Sequence, residues 1–306
     1  MNALPRSWLP RRRPDTNKND YGHVLVIGGA RGLTGAPRLA AAGALRGGAG
    51  LVTTAVPASL EIVAAVGGPW EALTLGLPEF RSVVGLRALA RVRAYLKSRR
   101  ITAIALGPGL SAESAAAPSD KPGRLPSAAA FVRGLLKSCS IPVVLDADGL
   151  NAVARTGWPA RLPPLILTPH PGEAARLLGM SPAAVQEDRK EAARKLAVLA
   201  GGVCVLKGHR TLVTDGRRWV VNLTGNPGMA TGGSGDVLAG LIAALIPQVA
   251  GPNLKERLWR SAVIGVRLHG LAGDLATRRI GRAPLAAGDL LDHLPAAFRR
   301  SFGAAV

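Results

Sequence analysis

Short apolar runs, each stopped by a glycine, a proline or a polar residue, constrain this chain more than any other feature. Val24-Leu25-Val26-Ile27 stops at Gly28-Gly29, and Leu51 to Val56 stops at Pro57. Ala103-Ile104-Ala105-Leu106 ends in Gly107-Pro108-Gly109, Val143-Val144-Leu145 in Asp146, and Leu165-Ile166-Leu167 in Thr168-Pro169-His170. Val203-Cys204-Val205-Leu206 ends in Lys207-Gly208. Runs that are apolar at every position suit strands covered on both faces. Helical patterns separate most of them: Ala36 to Arg46, Val83 to Lys97, Ala128 to Lys137 and Pro182 to Ala200. The alternation predicts an α/β fold, a mostly parallel sheet with helices on both faces. In such sheets ligands bind at the carboxyl ends of the strands, where these polar residues and glycines gather. No break divides the chain, so one domain over 21–300 is expected after a flexible segment, 1–20. Ser111 to Pro126, rich in Ala, Ser and Pro, reads as a surface loop.

Composition narrows the function. With 306 residues, 48% hydrophobic and 19% charged, the chain can bury a full core without disulfides. Cys139 and Cys204 have no metal-ligand spacing and read as buried thiols. The longest apolar stretch, Val237 to Ile246, falls short of the ~20 residues a spanning helix needs. No signal-peptide pattern precedes the first strand, so no membrane association and a cytoplasmic location are expected. The formal charge of +20 invites a nucleic-acid reading. Aromatic residues are only 4%, too few for a stacking platform, and the one tight basic run is Arg11-Arg12-Arg13. An arginine-rich surface explains the charge without a nucleic-acid partner.

The strongest motif is Asn226-Pro227-Gly228-Met229-Ala230-Thr231-Gly232-Gly233-Ser234-Gly235-Asp236, followed by an apolar helical pattern through Leu245. A glycine-rich loop entering a helix presents free backbone N–H groups to an anion. Asp236 falls in the first turn, beside any phosphate held there, where a carboxylate can take a proton from an attacking hydroxyl. A plain turn capped by Ser234 or Asp236 would explain one polar residue. It would not explain the four glycines. The loop is neither a P-loop nor a Rossmann fingerprint.

Asn226 to Leu245 resembles the hallmark of the ADP/ATP-dependent (S)-NAD(P)H-hydrate dehydratase family, in the ribokinase-like superfamily. Further stretches match in order: His23 to Gly29 with Gly32 to Pro37, Gly107 to Leu110, Leu145 to Asn151, Leu167 to Glu173, and Leu206 to Thr211. The likeness runs from about residue 18 to 298. It implies a ribokinase-like three-layer sandwich and a repair reaction. The hydrated nicotinamide ring of NADH or NADPH is phosphorylated on its hydroxyl from ADP or ATP, with Mg²⁺, and phosphate then leaves to restore the double bond. By the same resemblance Asp236 is the base, and Gly232, Gly233 and Gly235 form the anion hole. Lys207, Gly208, His209, Arg210 and Thr211, with Gly235, contact the AMP portion. Ala36, Gly109, His170 and Asp236 contact the hydrate. A homotetramer is also implied. Many members carry an N-terminal epimerase domain. About twenty residues precede the first strand here, so the epimerase is expected on a separate protein or absent.

Local readings stand beside the resemblance. Thr211 to Asn222 reads as a hairpin with Gly216 at its turn. Lys207 alone would pass for a solvated strand-end lysine. Asp146 and Asp148 with Asn151 can organise Mg²⁺ through its waters, or Asp148 can cap a helix from Gly149. Glu173 is either a first-turn acid or an indirect Mg²⁺ partner. No firm metal ligand emerges. The second glycine loop departs from the family at Ser111-Ala112-Glu113. The alternative function is a ribokinase-like kinase of the hydroxyethylthiazole or hydroxymethylpyrimidine type, which would stop at the phosphorylated alcohol.

Overall fold

The computed structural model describes residues 4–111 and 127–303. Among these, nine strands form one sheet, and β4 (Glu79–Phe80) and β5 (Val83–Val84) form a separate small hairpin. The sheet strands are β1 (His23–Ile27), β2 (Leu51–Pro57), β3 (Leu73–Leu77), β6 (Ala103–Leu106), β7 (Val143–Leu145), β8 (Leu165–Leu167), β9 (Val203–Leu206), β10 (Leu212–Thr214) and β11 (Trp219–Val221). Their order is β11-β10-β9-β8-β7-β6-β1-β2-β3. β1, β2, β3, β6, β7, β8 and β9 run parallel, and β10 is antiparallel to both neighbours. The chain winds outward from β1 through β2 to β3, then crosses to β6 on the other side of β1. The crevice of a doubly wound sheet opens at this reversal.

Each strand splits its side chains between two cores. Val24, Val26, Ala103, Ala105, Val144, Ile166 and Val205 face α1 (Gly35–Arg46), α9 (Ser234–Gln248), α10 (Leu254–Ile280) and α11 (Ala287–Phe302). Leu25, Ile27, Ile104, Leu106, Leu145 and Leu167 face α3 (Ala88–Ser98), α4 (Ser127–Ser138), α5 (Asp148–Thr156), α6 (Pro171–Leu178) and α8 (Arg189–Ala200). The short α2 (Glu61–Gly67) links β2 to β3 at the sheet edge. Burial on both faces explains why the runs are apolar throughout. The result is a three-layer α/β sandwich. α1 and α9 touch backbone to backbone: a Cβ at Gly240 would overlap the Ala40 carbonyl, and one at Gly43 the Val237 carbonyl.

Several expectations need correction. Val83 does not open a helix. It belongs to β5, which pairs with β4, and α3 begins only at Ala88. Arg81 and Ser82 supply the tight turn with φ of 51° and 60°, without the usual Asn-Gly signal. Pro182 to Ala200 is two helices, α7 (Pro182–Glu187) and α8, because the Asp188 side chain accepts from Glu191 N at 2.9 Å and starts a new one. The N-terminal segment, expected to be flexible, is mostly exposed but touches the body at a few points. Leu4 and Leu9 are buried, and Ala250 N donates to Trp8 O at 2.9 Å. The Ser111 to Pro126 loop lies outside the described residues beyond Ser111. Both cysteines are buried and free. No described helix is long and apolar enough to cross a membrane.

Candidate active site

The strand ends place their polar residues in sheet order along one edge. Gly28, Gly107 to Gly109, Asp146, Thr168 to His170 and Lys207 follow β1, β6, β7, β8 and β9. The start of α9 meets this edge. Its N-cap is Gly233, in the left-handed region at φ 87°, with no capping side chain, so neither Ser234 nor Asp236 is the cap. The first N–H groups of a helix have no acceptor within it, and those of Gly235 and Asp236 belong to this set. Gly232 has open space around its Cα. A helix start left uncapped in this way suits an anion.

Lys207 is at the centre. Its Nζ donates to Asp146 Oδ1 at 2.8 Å and lies 3.9 Å from Glu173 Oε2. A Cβ on Gly235 would stand 3.2 Å from the same Nζ and 3.9 Å from Asp146 Oδ2. The lysine is therefore neither solvated nor directed along the hairpin. Asp146 is buried and also accepts from Thr168 Oγ1 at 2.7 Å. Burial pulls the Lys207 ammonium down, but Asp146, Glu173 and Asp236 outweigh it and raise it overall. The Asp236 carboxyl is pushed up to about 7, first by burial and then by Asp146, against the pull of Lys207. Burial also pushes Glu173 up to about 7.

Asp148 does not cap α5. The helix begins at Asp148 itself, with Ala147 as N-cap. Its carboxylate instead accepts from Ser111 N at 3.1 Å and from Asn151 Nδ2 at 3.3 Å, tying the second glycine loop to α5. His170 caps α6: Nδ1 accepts from Gly172 N at 3.0 Å and Glu173 N at 3.3 Å, while Glu173 Oε2 accepts from His170 N at 2.8 Å. Burial, Lys207 and Arg176 hold its imidazolium below the usual range. Because Nδ1 accepts, the ring's N–H is on Nε2, 3.4 Å from Glu173 Oε1. Ala36 and Gly109 meet across the switch between β1 and β6, where a Cβ on Gly109 would lie 3.1 Å from the Ala36 Cβ. Gly208, His209 and Arg210 are exposed beyond Lys207, and Thr211 Oγ1 donates to Gly208 O at 3.0 Å.

Three residues without a sequence signal support the site. His269, buried on α10, donates from Nε2 to Ser234 O at 2.9 Å and so fixes the first turn of α9. Burial lowers it to about 4, which keeps it a neutral donor. Asp274, also on α10, accepts from Gly225 N at 2.9 Å and Asn226 Nδ2 at 3.0 Å, anchoring the start of the glycine loop. Arg189 donates to the carbonyls of Leu206 and Lys207, each at 3.3 Å, and braces the end of β9.

Among the described residues, no three His, Cys, Asp or Glu side chains converge as metal ligands. Asp146 and Glu173 face Lys207 instead. Mg²⁺ keeps several waters and takes few protein ligands where phosphates supply the rest. The Asp146 Oδ2 edge beside Gly235 fits that indirect role.

A family model described as NAD(P)H-hydrate dehydratase matches residues 24–296. The chain belongs to that family. An ADP-dependent (S)-NAD(P)H-hydrate dehydratase of Neisseria meningitidis serogroup B is 36% identical over 91% of this chain and 86% of its own length. A bifunctional NAD(P)H-hydrate repair enzyme of Moorella thermoacetica is 45% identical over 97% of this chain. The chain spans only about half the length of such bifunctional relatives, 53% in that case. The solved structure of the ADP/ATP-dependent NAD(P)H-hydrate dehydratase of Bacillus subtilis, crystallised with ATP and Mg²⁺, superposes with a TM-score of 0.76. It is 30% identical and covers 98% of this chain and 99% of its own. The ribokinase-like fold of this dehydratase-family chain follows from that superposition.

Proposed function

We propose that the chain dehydrates the hydrated nicotinamide ring of (S)-NADH or NADPH hydrate at the expense of ADP or ATP. The observation that carries this is the Asp236 carboxylate in the first turn of α9, next to an uncapped glycine loop and facing the Lys207 cluster. The names of the Neisseria and Bacillus relatives support the choice of substrate and nucleotide.

The steps follow from the chemistry. Asp236 takes the proton of the ring hydroxyl, and the oxygen attacks the terminal phosphoryl group, giving AMP from ADP. The amides of Gly232, Gly233 and Gly235 hold the phosphoryl oxygens as charge builds on them. Lys207 lies within reach of the same oxygens, and its 207–211 stretch holds the AMP portion. Ala36, Gly109 and His170 Nε2 hold the hydrate. Phosphate is a far better leaving group than hydroxide; as its C–O bond breaks, the adjacent ring carbon gives up a proton to water, and the electron pair of that C–H bond becomes the restored double bond. Mg²⁺, when bound to the nucleotide, neutralises phosphate charge, and Asp146 and Glu173 are the residues that would orient its waters. Assembly as a homotetramer, which the resemblance implies, and the cytoplasmic location expected from the sequence are part of this reading.

The test is recovery of the near-ultraviolet absorbance of reduced nicotinamide from hydrated NADH or NADPH, with ADP and ATP supplied in turn. A kinase of the same fold would consume nucleotide without restoring that absorbance. Asp236→Asn keeps nucleotide binding and loses ~100- to 10,000-fold in turnover. Near-normal turnover in that variant refutes the base assignment.

A further inference from the structure

At the opposite end of the sheet from the crevice lies a cavity of about 720 Å³. That volume suits a small organic ligand. Three helices deliver its walls. Leu45 and Arg46 end α1 and Gly47 and Gly48 follow it, Pro247 and Gln248 end α9, and Pro295, Phe298 and Arg299 lie in the second half of α11. The fourth wall is the N-terminal segment, Leu9 to Arg13 with Thr16, Asp20 and Tyr21.

The charge of this lining is one-sided. Arg11, Arg12, Arg13, Arg46 and Arg299 face a single carboxylate, Asp20. That carboxylate is occupied locally, since Oδ2 accepts from Asn17 N at 2.8 Å and Asn17 Nδ2 at 3.0 Å. Arg12 closes the segment onto the body, stacking over Tyr21 at 3.8 Å and donating to Gly48 O. Arg13 pairs with Asp15 at 3.3 Å, out in solvent. Among the described residues, Arg11, Arg46 and Arg299 have no carboxylate within ion-pair distance. A cation in the last helical turn complements the helix dipole, which accounts for Arg46 and Arg299 singly. It does not account for two helix ends and the N-terminal segment bringing five arginines to the lining of one hollow. Like charges around one hollow repel one another, and an anion bound among them relieves that repulsion. The floor is apolar, with Leu9, Leu45, Pro247 and Phe298.

We infer that this cavity binds a small molecule carrying two or more phosphates beside an apolar or aromatic group, the chemistry of a nucleotide, at a site separate from the crevice. Guanidinium forks match phosphate oxygens in pairs, and the floor takes the organic part. A nucleic-acid duplex is too large for a hollow of this size.

Hydrogen-exchange mass spectrometry of the full chain tests this, with ADP and inorganic pyrophosphate as probes. ADP is expected to slow exchange at the crevice, in 207–211 and 232–236, and separately in 9–21, 45–48 and 295–299. Slowing of the second group by pyrophosphate as well means that the phosphates suffice. Slowing by ADP alone means that the apolar floor is needed too, and either pattern supports the site. The double variant Arg46→Glu, Arg299→Glu loses the second response, with about tenfold weaker binding or more. It keeps the crevice response and the hydrate turnover. If that double variant misfolds, Arg299→Gln and the wild-type pattern still decide. Protection confined to the crevice overturns the inference, and so does equal protection of the second group by sodium chloride at matched ionic strength. The hydrate assay is read independently, so the failure of one reading does not mimic the failure of the other.

Discussion

Asp236 and Glu173 titrate in the same range and share a lysine, so pH is the direct probe of the site. The form of Asp236 that accepts a proton is the carboxylate, and it grows in as pH rises through about 7. kcat/KM for the hydrate should therefore climb with pH up to about 7 and then level off. Glu173 adds a second negative charge over the same range, and the two titrate as a pair. Glu173→Gln removes that charge while keeping an oxygen for the His170 cap, so the acid limb should move to lower pH. Stability has its own sign. Both folded values lie above the ordinary 3.8 and 4.5, so the pair's stabilising contribution is complete below about 4 and is lost as pH rises through about 7. Denaturant midpoints measured across that window should fall less in Glu173→Gln than in the wild type. At this scale the sequence told less than the structure. Asp236 was legible because four glycines and an acid at a helix start have few other uses. The direction of Lys207 was not, because only the approach of β7 and α6 reveals that Asp146 and Glu173 draw it inward.

The glycine loop and the start of α9 depend on α10 at two points. His269 holds the Ser234 carbonyl, and Asp274 holds Gly225 and Asn226. Removing a buried hydrogen-bond donor costs about 1–3 kcal/mol. His269→Ala should lose that much in urea unfolding. It should also lower kcat more than it weakens ADP binding, because the amides shift relative to the migrating phosphoryl. A purely structural histidine would leave kcat intact in the folded fraction. A lone histidine within a 27-residue helix gives no sequence signal of this role, since its partner is a backbone carbonyl 35 positions away. The strands show the other side of legibility. β1, β6, β7, β8 and β9 could be read because both of their faces are buried. β3 was passed over because it lies at the sheet edge, is half exposed and carries a glycine, Gly76, next to its last residue. The break at Asp188 was hidden because the helical pattern continues across it.

The whole molecule carries a formal charge of +20, and that field acts on the fold as well as on ligands. Self-repulsion lessens as salt shortens the Debye length from ~30 Å at 0.01 M to ~8 Å at 0.15 M. The melting temperature should therefore rise with sodium chloride over that range. A flat or falling profile would mean that the local ion pairs outweigh the net charge. The packing of α1 on α9 tests the architecture more sharply. Gly240→Ala drives a methyl group into the Ala40 carbonyl, and overpacking of this kind typically costs about 1–3 kcal/mol, readable as a lower denaturant midpoint. That same seam has a consequence for recognition. Two helices in direct main-chain contact at Gly43 and Gly240 have little freedom to slide or tilt. One of them ends at Ala36's edge of the crevice and the other at the amide seat. On the proposed reading the anion's receptor is thus cast in advance, so an arriving phosphate should meet little reorganisation to subtract from its affinity.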